Sequence, residues 1–244
     1  MIQDILSSIR NYGRALQLIG QLRLWGYMLL PALISLALLA GIGATAWGMS
    51  DNFGNWLVSW YPWDWGSEAV RKIAQVAGGL TVAALGLILY KNLVIILAGP
   101  FMSPLSEKVE DHLRGEPSGP AFTVAGFLSD FFRGLRIGVR NIVRELFFTV
   151  LLLLAGLIPI FSPVSPFAIF LVQSYYAGFG NMDYTLERHF RVGGSVQFVR
   201  ANAGLALGNG IVFMGLLLIG IGFLIAPPLA TVAATIDTVE RLER

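Results

Sequence analysis

The 244-residue chain is 55% hydrophobic and only 13% charged, with a mean hydropathy of +0.68. A soluble domain carries about 25% charged residues, so an ordinary water-facing surface is excluded and an integral membrane protein is expected. A formal net charge of +2 provides no concentrated basic surface for nucleic acid. The absence of cysteine removes disulfides and thiolate metal sites.

Residues 1–23 predict an amphipathic helix. Ile2, Ile5, Leu6, Ile9, Tyr12, Leu16 and Ile19 recur at helical spacing, with Asp4, Arg10, Arg14 and Gln17 mostly elsewhere. Asp4, Arg10 and Arg14 interrupt any signal-peptide core. Such a helix either lies in the headgroup plane or packs on the protein's own core.

A spanning helix needs about 20 apolar residues. Residues 24–49 carry no charge, and Trp25, Tyr27 and Trp47 sit near the ends as interfacial aromatics do. This is the first expected span. The linker 50–72 holds Asp51, Asp64 and Glu68 among Trp56, Trp60, Tyr61, Trp63 and Trp65, and is expected to rest at the interface. The second span is expected over 73–98, with Lys91 near its far end so that the ammonium can snorkel to water. Gly99 and Pro100 should turn the chain, with Ser103 as an N-cap, Pro104 at the first helical position and Glu107 in the first turn.

Residues 146–182 are uncharged, but Pro159, Pro163 and Pro166 interrupt them. Prolines this close remove amide donors and break a helix. The two arms are short for a crossing and predict a re-entrant hairpin. Residues 201–236 repeat the design, with the break expected at Pro227 and Pro228 after a longer first arm. Gly204, Gly208, Gly215 and Gly220 offer close helix approaches there. Asp183 is expected to cap the segment between the hairpins, which carries Glu187 and Arg188.

The expected fold is therefore an all-α integral membrane protein, one membrane domain over 1–244. It has two transmembrane helices, two partially penetrating helical hairpins and an N-terminal amphipathic helix. In that arrangement only Arg71, Lys72 and Lys91 of the 17 lysines and arginines lie away from one common side. The positive-inside rule makes that side cytoplasmic, both termini included. Two full crossings per hairpin would leave the charge count unchanged, so arm length alone argues for partial depth.

No catalytic constellation, HExxH, phosphate-cradling glycine loop or metal-ligand spacing is found. No enzyme, cofactor or metal is expected, and His112 and His189, both in charged segments, are expected to be solvated loop residues. The sharpest polar periodicity is Arg133, Arg136, Arg140 and Arg144 on one helix face, with Phe131, Leu135, Ile142 and Leu146 on others. The row is either an electropositive vestibule concentrating small anions or an interfacial row meeting anionic lipid headgroups. Arg23, immediately before the first span, is either a topology anchor or, beside free amides, a contact for an oxyanion.

Two segments carry a family resemblance. Residues 98–110 (AGPFMSPLSEKVE) and 181–188 (NMDYTLER) resemble, in order and spacing, segments of CysZ-type sulfate permeases, with Thr185 standing where the family has proline. The resemblance implies the same two spans, two hairpins and amphipathic helix. It also implies a channel-like permease that supplies sulfate for cysteine synthesis, a homo-oligomer, and the bacterial inner membrane. The family's anion-binding turn falls on Gln21, Leu22 and Arg23, with Gln21 replacing glycine and Leu22 contributing its backbone amide. A competing function is lipid handling or membrane remodelling without anion flux, suggested by the interfacial helices and partly inserted hairpins. A third, an intramembrane enzyme, needs polar groups converging at membrane depth.

Overall fold

The structure is a computed structural model describing residues 1–59, 67–116, 124–219 and 222–243. Within these ranges the side chains of 30, 43, 45–59, 67–85, 87, 124–127, 130 and 223 are outside the description. The expectations for Trp47, Asp51, Trp56, Trp60, Tyr61, Trp63, Asp64, Trp65, Glu68, Arg71, Lys72 and Gly220 therefore lie outside the described residues.

The described residues hold helices and no strand. In chain order the helices are α1 (Ile2–Gln21), α2 (Gly26–Ser59), α3 (Ser67–Arg114), α4 (Val124–Gly156), α5 (Ser165–His189), α6 (Val192–Ala201), α7 (Ala203–Leu218) and α8 (Gly222–Leu242). Helix occupies most of the expected linker 50–72, since α2 runs to Ser59 and α3 begins at Ser67. Among residues with described side chains, one helix, Ile88–Arg114, is long and apolar enough to cross a membrane. Two sharply bent pairs pass the same test only when taken together: α1 with Gly26–Ile42 at 118°, and α6 with α7 at 88°.

The apolar face of α1 divides in two. Tyr12, Ala15 and Ile19 turn inward against α7 and α8, with Ser8 and Asn11 beside them, while Ile2, Leu6, Ile9 and Leu16 stay exposed. The polar pair faces inward because buried Asp237 accepts from Ser8 Oγ and from Asn11 Nδ2, the latter at 2.7 Å. Packing on the protein's own core thus uses one face of α1 and leaves an apolar face uncovered.

α3 overturns three expectations. It runs unbroken to Arg114 with Pro100 and Pro104 inside it, so Gly99–Pro100 is no turn and Ser103 is no cap. The two prolines lie one turn apart and strip hydrogen bonds from one face only. α5 packs along α3, where Tyr184 Oη donates to the Ile95 carbonyl and Arg188 to that of Ser103. Nor does Lys91 snorkel. It is fully buried, with Nζ 2.5 Å from Glu145 Oε1 and 2.7 Å from the Gln173 carbonyl. A carboxylate and a carbonyl within reach satisfy the ammonium internally.

α4 and α5 are joined across 157–164, where Pro159 and Pro163 stand, and Pro166 occupies the first turn of α5. The exposed side chains of Leu157, Ile160 and Phe167 make the tip of this connection apolar. The second break lies elsewhere than expected. Pro227 and Pro228 are inside α8, and the break falls instead between Leu218 and Gly222. A Cβ on Gly222 would stand 2.0 Å from the Leu216 carbonyl oxygen, so α8 begins at a close backbone approach and not at a proline.

The core is built on α5. Its crossing with α7 is so tight that a Cβ on Gly178 would lie 1.8 Å from the Ala206 carbonyl oxygen, and one on Gly210 1.7 Å from that of Ser174. Gly204 and Gly208 serve the same purpose against α1, whereas a Cβ on Gly215 would meet open space. Asn209 ties the helices together: it accepts from Asn181, donates to the Ala230 carbonyl, and its own carbonyl receives the Tyr12 hydroxyl.

A candidate anion site: an arginine cleft and a cationic turn

The helical spacing of Arg133, Arg136, Arg140 and Arg144 brings all four to one cleft of about 720 Å³ between α4 and α6. Arg191, which precedes α6, and Arg200 within it join them; the chain separates these two widely from the α4 row, and no local pattern links them. The six guanidinium groups are not equivalent. Arg133 is fastened into the protein by a bidentate pair with Asp183 at 3.0 and 3.1 Å, and it also donates to Ser195 Oγ at 2.6 Å. Asp183 is therefore an ion-pair partner inside α5 and not a cap. Arg140 donates to Asn141 and lies over the Phe179 ring. Burial, and then the like charges of Arg144 and Arg200, hold its guanidinium below the usual arginine range.

Arg136, Arg144, Arg191 and Arg200 are exposed and have no hydrogen bond or ion pair to any described residue. No carboxylate is among the described residues lining the cleft. One flank of α6, from Val192 to Arg200, lines the cleft. Its first helical bond runs from the Ser195 amide to the Arg191 carbonyl, which leaves the Val192, Gly193 and Gly194 amides without intrahelical partners. Gly193 lines the cleft, with open space where a side chain would be. Concentrated positive charge from guanidinium groups is what an oxyanion binds.

Gln21, Leu22 and Arg23 form the turn from α1 into α2. The Leu22 amide is committed to the Leu18 carbonyl at 2.9 Å and the Arg23 amide to that of Gly20 at 3.3 Å, so the exposed guanidinium is the group left to offer an anion. Arg23 has φ 54°, the one positive value on a non-glycine residue among those described. The left-handed turn thus falls on the arginine itself, two positions after Gln21.

Two further polar clusters escaped the sequence reading. His189 is half-buried, not solvated: its Nε2 lies 2.6 Å from Glu110 Oε1, while Arg188 donates to Glu110 Oε2 at 2.7 Å and to Ser106 Oγ at 2.8 Å. His112 is exposed, but it lies on the last turn of α3. In the other cluster, Glu145 takes Lys91 on one oxygen and Asn92, at 3.0 Å, on the other. The spacing Ser106–Glu110–Arg114 places one face of α3 toward polar partners, a signal present in the sequence. Nothing local pairs Lys91 with Glu145. Among the described residues no group of acids and histidines is arranged to hold a metal.

A family model described as sulfate transporter CysZ/etoposide-induced protein 2.4 matches residues 11–228. The chain belongs to this family. The match runs from the middle of α1 to Pro228 in α8, so it covers both the Arg23 turn and the arginine cleft. No individual curated protein matches the chain. The CysZ resemblance of residues 98–110 and 181–188 is thereby explained by membership. In the fold these two segments lie against each other, with Tyr184 and Arg188 of one bonded to Ile95, Ser106 and Glu110 of α3.

Proposed function

We propose that this protein is a passive permease for sulfate or a related small oxyanion, with Arg23 at its anion-binding turn. The observation that carries the reading is the conformation of Arg23. A non-glycine residue held in the left-handed region costs of order 1–3 kcal/mol, and here the strained residue carries an exposed guanidinium in the turn that the family resemblance makes anion-binding. Gln21 borders that turn, and Leu22 shapes it through its bond to Leu18.

The arginine cleft is the second element. Arg133 fixes its wall, and Arg136, Arg140 and Arg144 with Arg191 and Arg200 raise the local concentration of oxyanions. Passage down a concentration gradient needs no ATP or other cofactor. In this reading the chain is one membrane domain of the bacterial inner membrane, assembled as a homo-oligomer, with its termini cytoplasmic, and it brings in sulfur for cysteine synthesis. The apolar, exposed tip around Leu157 and Ile160 supports a hairpin that ends within lipid, because a patch of that kind is unfavourable in water.

The test is radiolabelled sulfate uptake into liposomes containing the purified protein, beside empty liposomes and Arg23→Ala. Saturable uptake that persists with an uncoupler and falls at least tenfold in the variant is expected. A folded protein that admits neither sulfate nor thiosulfate defeats the permease reading and moves lipid handling to the front.

A further inference from the structure

We infer that the arginine cleft between α4 and α6 is a binding site for one anionic phospholipid. The phosphate sits among the guanidinium groups, and an acyl chain runs along the same face of α4 beyond Arg144. The inference takes only membrane residence from the functional reading and does not depend on transport.

The cleft is built for a phosphate. Four exposed arginines without partners among the described residues repel one another, and no carboxylate among the described lining residues offsets them. An anion relieves that repulsion. Gly193 leaves open space on the same wall of the cleft, so a tetrahedral oxyanion has room among the guanidinium groups.

The apolar continuation of the arginine row along α4 selects a lipid over a free ion. The row Arg133, Arg136, Arg140, Arg144 continues in steps of three and four residues as Phe147, Leu151 and Leu154. These three are 64%, 53% and 58% exposed. One helix face thus changes from cationic to apolar within a single turn, and side chains at this spacing stand one above another. A free sulfate would occupy the cleft and leave the apolar continuation to exchangeable bulk lipid. A phospholipid uses both, with its charged and apolar ends in the order the helix presents them. With Arg133 paired to Asp183, five guanidinium groups around one phosphodiester remain net cationic, so the seated lipid does not abolish the attraction of soluble oxyanions.

The test is native mass spectrometry of the purified full chain in detergent, titrated with dioleoylphosphatidylglycerol or dioleoylphosphatidylcholine. Preferential retention of one phosphatidylglycerol is expected, unaffected by millimolar sulfate. A basic side chain near a membrane surface contributes about 1 kcal/mol to anionic-lipid attraction, roughly fivefold in affinity. Arg136→Gln with Arg200→Gln should therefore weaken retention roughly 25-fold while phosphatidylcholine is unaffected. Arg191→Gln alone, expected at roughly fivefold, carries the test should the double variant not fold. Equal retention of the two lipids, or unchanged retention in the folded variants, overturns the inference. Displacement of the lipid by sulfate also overturns it and makes the cleft a site for the free oxyanion. Sulfate uptake is scored separately in liposomes, so failure of the permease reading leaves this outcome untouched.

Discussion

Arg23 can be separated from the turn that holds it. Glycine accepts φ 54° without strain, so Arg23→Gly removes the guanidinium and relieves the backbone together. Thermal unfolding in detergent should show this variant unchanged or more stable by up to about 1 kcal/mol, while its sulfate uptake falls as far as that of Arg23→Ala. Wild-type uptake by the glycine variant would show that the residue serves the turn and nothing else. Lys91 and Glu145 make the opposite case, a pair whose members depend on each other. Both are fully buried, and removing one partner from such a pair costs about 3–5 kcal/mol because the other charge is left without compensation. Lys91→Met and Glu145→Gln should each be strongly destabilising, and the double variant should recover much of the loss in thermal unfolding. Arg23 drew notice in the sequence because it stands beside a long apolar run. Lys91 was misread for the same reason: a cation beside such a run suggests snorkelling, and its partner lies 54 positions away on another helix.

Helix character followed from uninterrupted apolar length, and the chain is helical wherever that signal was strong. The breaks were harder to place. Proline marked the connection at 157–164 correctly, where several prolines accompany a change of direction. It misled at Pro100, Pro104, Pro227 and Pro228, which lie inside α3 and α8. A proline removes one donor, and a packed neighbour can satisfy the carbonyl environment it disturbs; a glycine at a backbone contact has no such substitute. Gly178 and Gly210 accordingly define the α5–α7 crossing more firmly than any proline defines a break. A methyl group at either position would sit less than 2 Å from a carbonyl oxygen, and only separation of the two helices accommodates it. Gly210→Ala should abolish the monodisperse folded species seen by size-exclusion chromatography. Gly215→Ala, facing open space on the same helix, should be tolerated and gain up to about 1 kcal/mol from helix propensity. Equal behaviour of the two variants would mean that α5 and α7 do not pack as described.

The orientation of the whole chain rests on charge and is open to direct measurement, because the sequence contains no cysteine and any introduced thiol is unique. The arginines of α4 and α6 meet in one cleft, although an apolar hairpin separates them in sequence. That meeting requires the hairpin to return to the side from which it left, whether or not it crosses fully. A single net crossing between Arg144 and Arg191 would put the two walls of the cleft on opposite sides of the membrane. Ser129→Cys at the start of α4 and Gln197→Cys on α6, both exposed, should therefore react with a membrane-impermeant maleimide from the same side. The positive-inside rule makes that side accessible in inside-out vesicles and protected in intact spheroplasts. Ser67→Cys, beyond the first span expected from the sequence, should show the reverse pattern. Opposite labelling of Ser129→Cys and Gln197→Cys would break the cleft apart and the lipid site with it. Opposite labelling of Ser67→Cys and Ser129→Cys, with Gln197→Cys matching Ser129→Cys, would fix an odd number of crossings between residues 67 and 129, which α3 supplies as the helix best suited to span.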